Sequence, residues 1–217
     1  MKLPFTVEEF LQIFRAYNQW IYPLQFVFYI LAFVIVYISI KKPANGNRLI
    51  NFILAFFWLW MGFVYHLMFF SAINKAAYIF GILFIFQGAL FIYYGVIRQK
   101  LKYNLTNDPT NWIGMVLVVF ALLIYPVLGY LFKHAYPASP TFGVPCPTTI
   151  FTFGVLLWSK EKVPIVLLII PFLWSLLGFS ASTSLGIKED MALVIAGILA
   201  VSILLFRREP VKKILAG

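Results

Sequence analysis

Long uncharged stretches, separated by short clusters of charge, constrain the fold of this chain more than any other feature. A stretch of about 20 apolar residues can cross about 30 Å of hydrocarbon as a helix. Helices are the open-chain structures that satisfy their own backbone hydrogen bonds in lipid. The sequence therefore predicts an all-α polytopic membrane protein. Its six clearest spans are approximately Ile21–Ile40, Leu49–Ile73, Ala76–Ile97, Trp112–Phe132, Val163–Leu185 and Met191–Phe206.

Composition supports a lipid environment for these helices. Apolar residues make up 63% of the 217 residues and charged residues only 11%. A soluble domain carries about a quarter charged residues, so this chain has too few to cover a water-facing surface. The first 20 residues include Glu8, Glu9 and Arg15 and have no continuous apolar run, so no cleavable signal peptide is predicted.

A seventh, shorter span, Pro145–Ser159, is predicted from the distribution of charge. Its roughly 15 residues reach only about 22 Å as a helix, which is short for a membrane span. When it is counted, most of the 17 Lys and Arg residues fall on one side, which the positive-inside rule makes cytoplasmic. The prediction is seven transmembrane helices with the N-terminus outside and the C-terminus inside. The basic residues on the outer side are Lys2, Arg15, Lys75, Lys133 and Lys188.

Three segments follow from this topology. Residues 1–19 are predicted to form an amphipathic interfacial helix, because Thr6 and Glu9 have capping-box spacing and Val7, Phe10, Leu11 and Phe14 share one face. This helix either anchors the chain at the membrane surface or covers an outer pocket. Residues 20–209 form the transmembrane domain and residues 210–217 a basic cytoplasmic tail. The net charge of +10 is explained by topology and by anionic lipid, so no nucleic-acid partner is predicted.

A comparison of the chain with itself predicts an internal repeat. Residues 53–83 align without gaps on residues 169–199, pairing Trp58 with Trp174 and Gly62 with Gly178. Transporters are often built from such duplicated helix units. The shift places spans two and three on spans six and seven in the same direction, which gives a parallel 3+1+3 layout. This layout resembles that of the SWEET sugar transporters in topology, but not in motif, and the resemblance implies no substrate.

Three strings in the chain resemble those of an uncharacterised family of bacterial multi-pass membrane proteins. They are WLWMGFVYH at Trp58–His66, YP at Tyr125–Pro126 and PTFGVPCPTTIFTFG at Pro140–Gly154. The resemblance covers nearly the whole chain. It implies a location in the bacterial cytoplasmic (inner) membrane, and it implies no activity.

Polar residues within or beside the apolar stretches are the candidate site residues, and most fall toward the predicted outer side. Polar groups at membrane depth are costly and usually face a cavity or a partner. Cys146 precedes Pro147 at the predicted start of the short span Pro145–Ser159. Because this span is short, Cys146 is expected to lie below the outer membrane surface. The predicted cavity residues are His66, Asn74, Gln87, Cys146, Thr148, Thr149, Thr152 and Asp190.

Four functions are compatible with this arrangement. Small-molecule transport through an outward-opening cavity at the repeat interface is favoured, since it needs a few polar groups and no catalytic set. His66 and His134 with Cys146 or Asp190 could instead hold a metal ion or haem, although HxxxH and CxxC spacings are missing. Cys146 with a histidine base could also serve a membrane hydrolase, and a structural subunit would need no site. Substrate, cofactor, coupling ion and a homo-oligomeric state stay open.

Overall fold

The structure, a computed structural model, describes residues 4–207. This part of the chain forms nine α-helices and no strand, which confirms the predicted all-α class. The predicted basic tail at 210–217 and the predicted outer residue Lys2 lie outside the described residues. The helices are α1 Val7–Ile21, α2 Leu24–Lys41, α3 Gly46–Trp60, α4 Ala77–Phe91, α5 Pro109–Val119, α6 Tyr125–Leu131, α7 Pro145–Leu157, α8 Val166–Leu185 and α9 Met191–Phe206.

Short π-helical and 3₁₀ segments extend several of these helices. π-helical turns follow α3 at Met61–Phe69, α4 at Ile92–Ile97 and α5 at Phe120–Ile124. A 3₁₀ turn at Phe70–Ala72 completes the α3 helix, and another at Lys188–Asp190 begins the α9 helix. With these extensions, six continuous helices are long and apolar enough to cross a membrane, which suggests a multi-pass membrane protein. They are Leu24–Lys41, Gly46–Ala72, Ala77–Ile97, Pro109–Leu131, Val166–Leu185 and Lys188–Phe206.

Helix α7, which corresponds to the seventh predicted span, lies at the centre of the bundle. All of its 13 residues except Cys146 are buried, and it packs against α5, α8 and α9. A helix that is apolar on every face is expected to be enclosed by other helices. The backbones of α5 and α7 touch at Gly114 and Gly154. A Cβ atom on either glycine would lie 2.6 Å from the carbonyl oxygen of the other.

Loops that carry many of the basic residues meet at one end of the bundle, the basic end. It comprises residues 39–48, 98–108, 158–162 and 207. The Lys160 amide donates to the Lys102 carbonyl at 2.8 Å, and the Arg207 guanidinium donates to the Ser159 carbonyl at 2.6 Å. Since α7 ends here and begins at the opposite end, it runs through the bundle although it has only 13 residues. Seven membrane crossings remain a prediction.

Reporter fusions test the number of crossings. Asn104 donates its backbone N–H to the Trp158 carbonyl at 2.9 Å, so both residues lie at the basic end. We expect reporters near Asn104 and after Gly217 to report the cytoplasm, and a reporter near Asn74 to report the outside. The measurement is the activity of alkaline phosphatase and green fluorescent protein fusions in cells. Opposite locations for Asn104 and the C-terminus would mean an odd number of crossings between them. The seven-span topology requires four, so this result would contradict it.

Helix α1 begins with a capping box and packs on the bundle. The Glu9 amide donates to the Thr6 hydroxyl at 3.2 Å, and the Thr6 amide donates to the Glu9 carboxylate at 2.7 Å. The hydrogen bond from the Thr6 amide, together with that from its hydroxyl, holds the pKa of Glu9 below its usual value. Phe10, Phe14 and Tyr17 are buried against the helix that contains residues 65–70. Helix α1 therefore lies across the end opposite the basic end.

The two regions predicted to be repeats form comparable helical hairpins, α3 with α4 and α8 with α9. Their contact positions differ. In the first hairpin a Cβ on Gly62 would lie 2.9 Å from the Gly81 carbonyl oxygen, whereas Gly178 faces Leu193 and Gly197 faces Ser175. The first hairpin contains the π-helical turn at Met61–Phe69, which has no counterpart in α8. The internal repeat and the 3+1+3 layout therefore remain predictions.

Candidate functional site

A cavity of about 270 Å³ opens between α1 and the bundle, at the end opposite the basic end. Its wall is largely aromatic and aliphatic, with a small number of polar groups, as is typical of small-molecule sites. Helices from both halves of the chain contribute to it, because residues 65–80 line one part and residues 144–190 line another. The aromatic side chains are Phe5, Phe10, Phe14, Tyr65, Phe70, Phe80 and Trp174.

Asp190 provides the charged group of the cavity wall. Its side chain is 3% exposed and accepts a hydrogen bond from the Tyr125 hydroxyl through Oδ1. The Cys146 thiol neighbours this carboxylate, and both residues line the cavity together with Trp174. The indole N–H of Trp174 has no hydrogen-bond partner among residues 4–207. Asp190, Cys146 and Trp174 therefore present one acidic group, one thiol and one free donor in the same region.

The turn between α8 and α9 directs Asp190 inward. Gly186 ends α8 with a left-handed φ of 71°, a conformation that suits glycine. The Ser182 hydroxyl then donates to the Ile187 carbonyl at 2.7 Å, and the Asp190 amide donates to the same carbonyl at 3.1 Å. These bonds close a tight 3₁₀ turn. The acidic residue at its end lies at the start of α9, where the helix dipole and free amide groups stabilise a carboxylate.

Glu189 forms a second buried acidic group beside Asp190. It is 1% exposed, and its Oε1 lies 3.2 Å from Nδ1 of His134. Its Oε2 has no hydrogen-bond partner within the described part of the chain. His134 is thus engaged by a carboxylate that does not line the cavity, and is not placed beside Cys146.

Irregular backbone before α7 leads into Val144, Pro145 and Cys146, which form the floor of the cavity. The Asn18 side chain donates to the carbonyls of Pro137 and Ser139, both at 2.8 Å. The Tyr17 hydroxyl donates to the Gly143 carbonyl, also at 2.8 Å. Buried carbonyls need such partners, which regular secondary structure would otherwise supply. Helix α1 therefore holds the segment that positions Cys146, in addition to covering the cavity.

Three of the eight predicted cavity residues line this cavity: Asn74, Cys146 and Asp190. The Asn74 side-chain oxygen accepts from the Ala76 amide at 3.0 Å, which fixes the turn into α4. A helix start or a turn places each of the three at the end of the bundle where α1 lies. Their shared position agrees with the depth that the sequence indicated, and their role in binding a ligand stays a prediction.

The three threonines and Gln87 lie elsewhere, within the packed helices. Thr148 accepts from the Gly143 amide, and Thr152 donates to the Thr148 carbonyl at 2.8 Å and accepts from the Trp58 indole at 3.2 Å. Thr149 is buried, and its hydroxyl has no partner among the described residues. The Gln87 amide donates to the Leu167 carbonyl at 3.0 Å, which joins α4 to α8. Thr152 and Gln87 connect helices, Thr148 bonds to the segment before α7, and none of the four residues lines the cavity.

His66 lies behind the cavity wall in the π-helical turn after α3. Its ring is fully buried among aromatic rings, with centroid distances of 4.5 Å to Phe84, 5.1 Å to Trp174 and 5.9 Å to Phe80. Neither ring nitrogen has a hydrogen-bond partner in the part of the chain that is described. Phe80 and Trp174 contact this ring and also line the cavity, so they separate His66 from it.

The side chains needed for a metal site or a hydrolase are not brought together. Across residues 4–207, no three His, Cys, Asp or Glu side chains are close enough to hold a metal ion. His66 is enclosed by rings and His134 is bonded to Glu189, so neither is positioned as a base for Cys146.

The sequence did not identify two parts of the site. Tyr125, the hydrogen-bond partner of Asp190, lies 65 residues from it, and a lone tyrosine in an apolar helix carries no signal of its partner. Aromatic walls were expected for a transport cavity, but the residues that form them were not identified. The pattern of Phe10 and Phe14 on one face of α1 was visible, but the pattern does not reveal which surface that face covers.

Comparison with known families gives a match over residues 7–214 to a family of unknown function, DUF6064. Curated proteins and solved structures give no match. The match confirms the predicted membership in an uncharacterised family. The similarity to SWEET transporters remains an expectation about topology.

Proposed function

We propose that this chain, which belongs to the DUF6064 family of unknown function, binds a small and largely apolar molecule in the cavity beneath α1 and transports it across the membrane. The observation that carries the proposal is the cavity itself. It has a volume of about 270 Å³, its wall is formed largely by aromatic rings, and Asp190, which is 3% exposed, is one of its lining residues. Such a combination of apolar wall and few polar groups is characteristic of ligand sites.

The position of the cavity between the two halves of the chain supports transport. Tyr65, Asn74 and Phe80 line it from the first half, and Cys146 and Trp174 line it from the second. Transporters bind their substrates at the interface between related helix units, and alternating access moves one unit against the other. Movement between the α3–α4 and α8–α9 hairpins would change the shape of this cavity directly.

Closed packing below the cavity fits an outward-open state. Trp58 and Phe84 stack with centroids 4.6 Å apart, and Trp58 also bonds to Thr152 of α7. Both rings are fully buried and fill the bundle between the cavity and the basic end. We place the cavity on the outer side of a bacterial inner membrane and the basic end in the cytoplasm, as the positive-inside rule requires. The lipid bilayer is then the principal partner.

Labelling of Cys146 tests whether the cavity is open to the outside. Cys146 is the single cysteine and lines the cavity, so no thiol has to be introduced. In intact cells we expect a small, membrane-impermeant methanethiosulfonate to modify it, and a maleimide carrying a large polyethylene glycol chain to react at least about tenfold more slowly. The extent of modification is measured by mass spectrometry of the purified protein.

Two variants serve as controls for the labelling. Cys146→Ala should remain unlabelled, and Thr149→Cys in that background should also resist the reagent, because Thr149 is fully buried inside α7. The proposal is contradicted when Cys146 reacts only after the protein has been unfolded in detergent. It would also fail if Cys146 and Thr149→Cys were labelled at the same rate.

A further inference from the structure

We infer that the cavity selects organic cations, in which an amine or quaternary ammonium group is carried by an apolar body. This inference rests on the function proposed above and assigns the class of its substrate. It follows from three features of the cavity as the described residues line it: one carboxylate, a wall of aromatic rings, and a small number of other polar groups.

Asp190 supplies the negative charge for such a ligand. It is the charged residue among the described residues that line the cavity, and the two groups that contact its carboxylate, the Tyr125 hydroxyl and the Cys146 thiol, carry no positive charge. A buried carboxylate without a cationic partner is costly, and a bound cation would offset that cost. The neighbouring Lys188 does not serve as this partner, because its ammonium lies 5.7 Å from the Phe132 ring centroid and its side chain is exposed.

The aromatic rings provide a second attraction for a cation. Tyr65, Phe70, Phe80 and Trp174 line the same cavity as Asp190. The face of an aromatic ring attracts a cation, and groups of such rings are a common way to bind quaternary ammonium. The same rings also bury the apolar part of an amine. One wall can therefore bind both ends of an amphipathic cation.

The remaining polar groups argue against sugars and anions. A sugar has a hydroxyl on nearly every carbon and loses affinity for each one left unpaired when buried. Beside Asp190, the polar side chains that line the cavity among residues 4–207 are Asn74, Ser180, Cys146, Tyr65 and Trp174. An anion would be repelled by Asp190 and by the adjacent buried Glu189. The resemblance to the topology of sugar transporters thus does not extend to the chemistry of the cavity.

The size of the cavity limits the ligand. A volume of about 270 Å³ lies near the lower end of the range of about 300–1,000 Å³ that is common for ligand pockets. We expect the ligand to consist of an ammonium group and an apolar part no larger than one aromatic ring or a short branched alkyl group. Matched probes of this scale are 4-phenylbutylamine, 4-phenylbutanol and 4-phenylbutanoate, which are cationic, neutral and anionic near neutral pH.

Binding of these three probes to the full-length protein in lipid nanodiscs tests the inference. Tryptophan fluorescence reports binding, since Trp174 lines the cavity. We expect the amine to bind at least about tenfold more tightly than the alcohol, and the carboxylate to bind more weakly than the alcohol. Asp190→Asn should weaken amine binding about tenfold and leave the alcohol unchanged. Glu161→Gln, an exposed carboxylate at the basic end, is the matched control and should alter neither.

Charged thiol reagents give a measurement that needs no variant. Cationic and anionic methanethiosulfonates of similar size should modify Cys146 at different rates, because Asp190 neighbours its thiol. We expect the cationic reagent to react at least about tenfold faster. This comparison remains decisive if Asp190→Asn fails to fold.

The outcomes separate the inference from the proposed function. Equal affinities for the amine and the alcohol, unchanged by Asp190→Asn, would overturn cation selection. Binding of the alcohol would still demonstrate a ligand-binding cavity. Equal rates for the two thiol reagents would likewise overturn it. If none of the three probes bound and none protected Cys146 from modification, both the inference and the proposed function would be wrong.

Discussion

Replacing Asn18 by leucine is expected to lower the free energy of unfolding by about 2–5 kcal/mol, because it leaves a buried and a partly buried carbonyl without their donor. The Asn18 amide donates to Pro137 and Ser139, and its oxygen accepts from Thr141 and Gln25. The side chain is fully buried, so water cannot replace these bonds. Equilibrium unfolding in mixed micelles of mild detergent and dodecyl sulfate would measure the loss.

The same substitution should loosen the cavity floor. Asn18 holds residues 137–141, which lead into Pro145 and Cys146. We expect the large polyethylene glycol maleimide to label Cys146 faster in Asn18→Leu than in the unaltered protein. Gln19→Leu is the control, since Gln19 is the exposed next residue of α1. A loss of stability equal to that of Gln19→Leu would show that the bonds of Asn18 do not stabilise the fold.

Replacing Gly154 by alanine is expected to lower the free energy of unfolding by about 1–3 kcal/mol, as overpacking of a closely packed core does. The new Cβ would lie 2.6 Å from the Gly114 carbonyl oxygen and 2.8 Å from a methyl carbon of Val118. The first of these atoms belongs to the backbone of α5, so the two helices would have to separate. The thermal midpoint of the purified protein and its unfolding in mixed micelles would measure the effect.

A second glycine gives the matched control for this experiment. A Cβ on Gly178 would also approach an atom to 2.6 Å, but that atom is the terminal methyl of Leu193, which can rotate away. Gly178→Ala should therefore cost much less than Gly154→Ala. Similar losses in the two variants would show that the approach of α5 to α7 is not what limits the packing.

The positions of the long helices could be predicted because a lipid environment demands uninterrupted apolar length. The predicted span Leu49–Ile73 corresponds to the observed helix Gly46–Ala72, and the span Val163–Leu185 corresponds to Val166–Leu185. The largest differences lie at helix starts. There, apolar composition does not distinguish the first residues of the helix from the last residues of the preceding loop. Apolar length alone could not show that α7, which is shorter than the six long helices, occupies the centre of the bundle.

The site was predicted only in part, for a physical reason that is clearest at His66 and Gln87. Both residues lie in helices that are apolar on nearly every face, so the sequence contains no periodic signal to show which way a side chain points. His66 faces a group of rings and Gln87 a backbone carbonyl. Asn74, Cys146 and Asp190 were easier to place, because breaks in the apolar stretches located them at helix starts.

The enclosure of α7 has a consequence for the response of the protein to bilayer thickness. Hydrophobic mismatch acts on helices whose side chains contact acyl chains, and such helices adjust by tilting. Helix α2 exposes Phe26, Ile30 and Phe33 on its outer face, whereas α7 is shielded along almost its whole length. A thinner or thicker bilayer would therefore tilt the helices that contact lipid and leave α7 unstrained. The depth of Cys146 below α1 would stay constant among membranes of different lipid chain length.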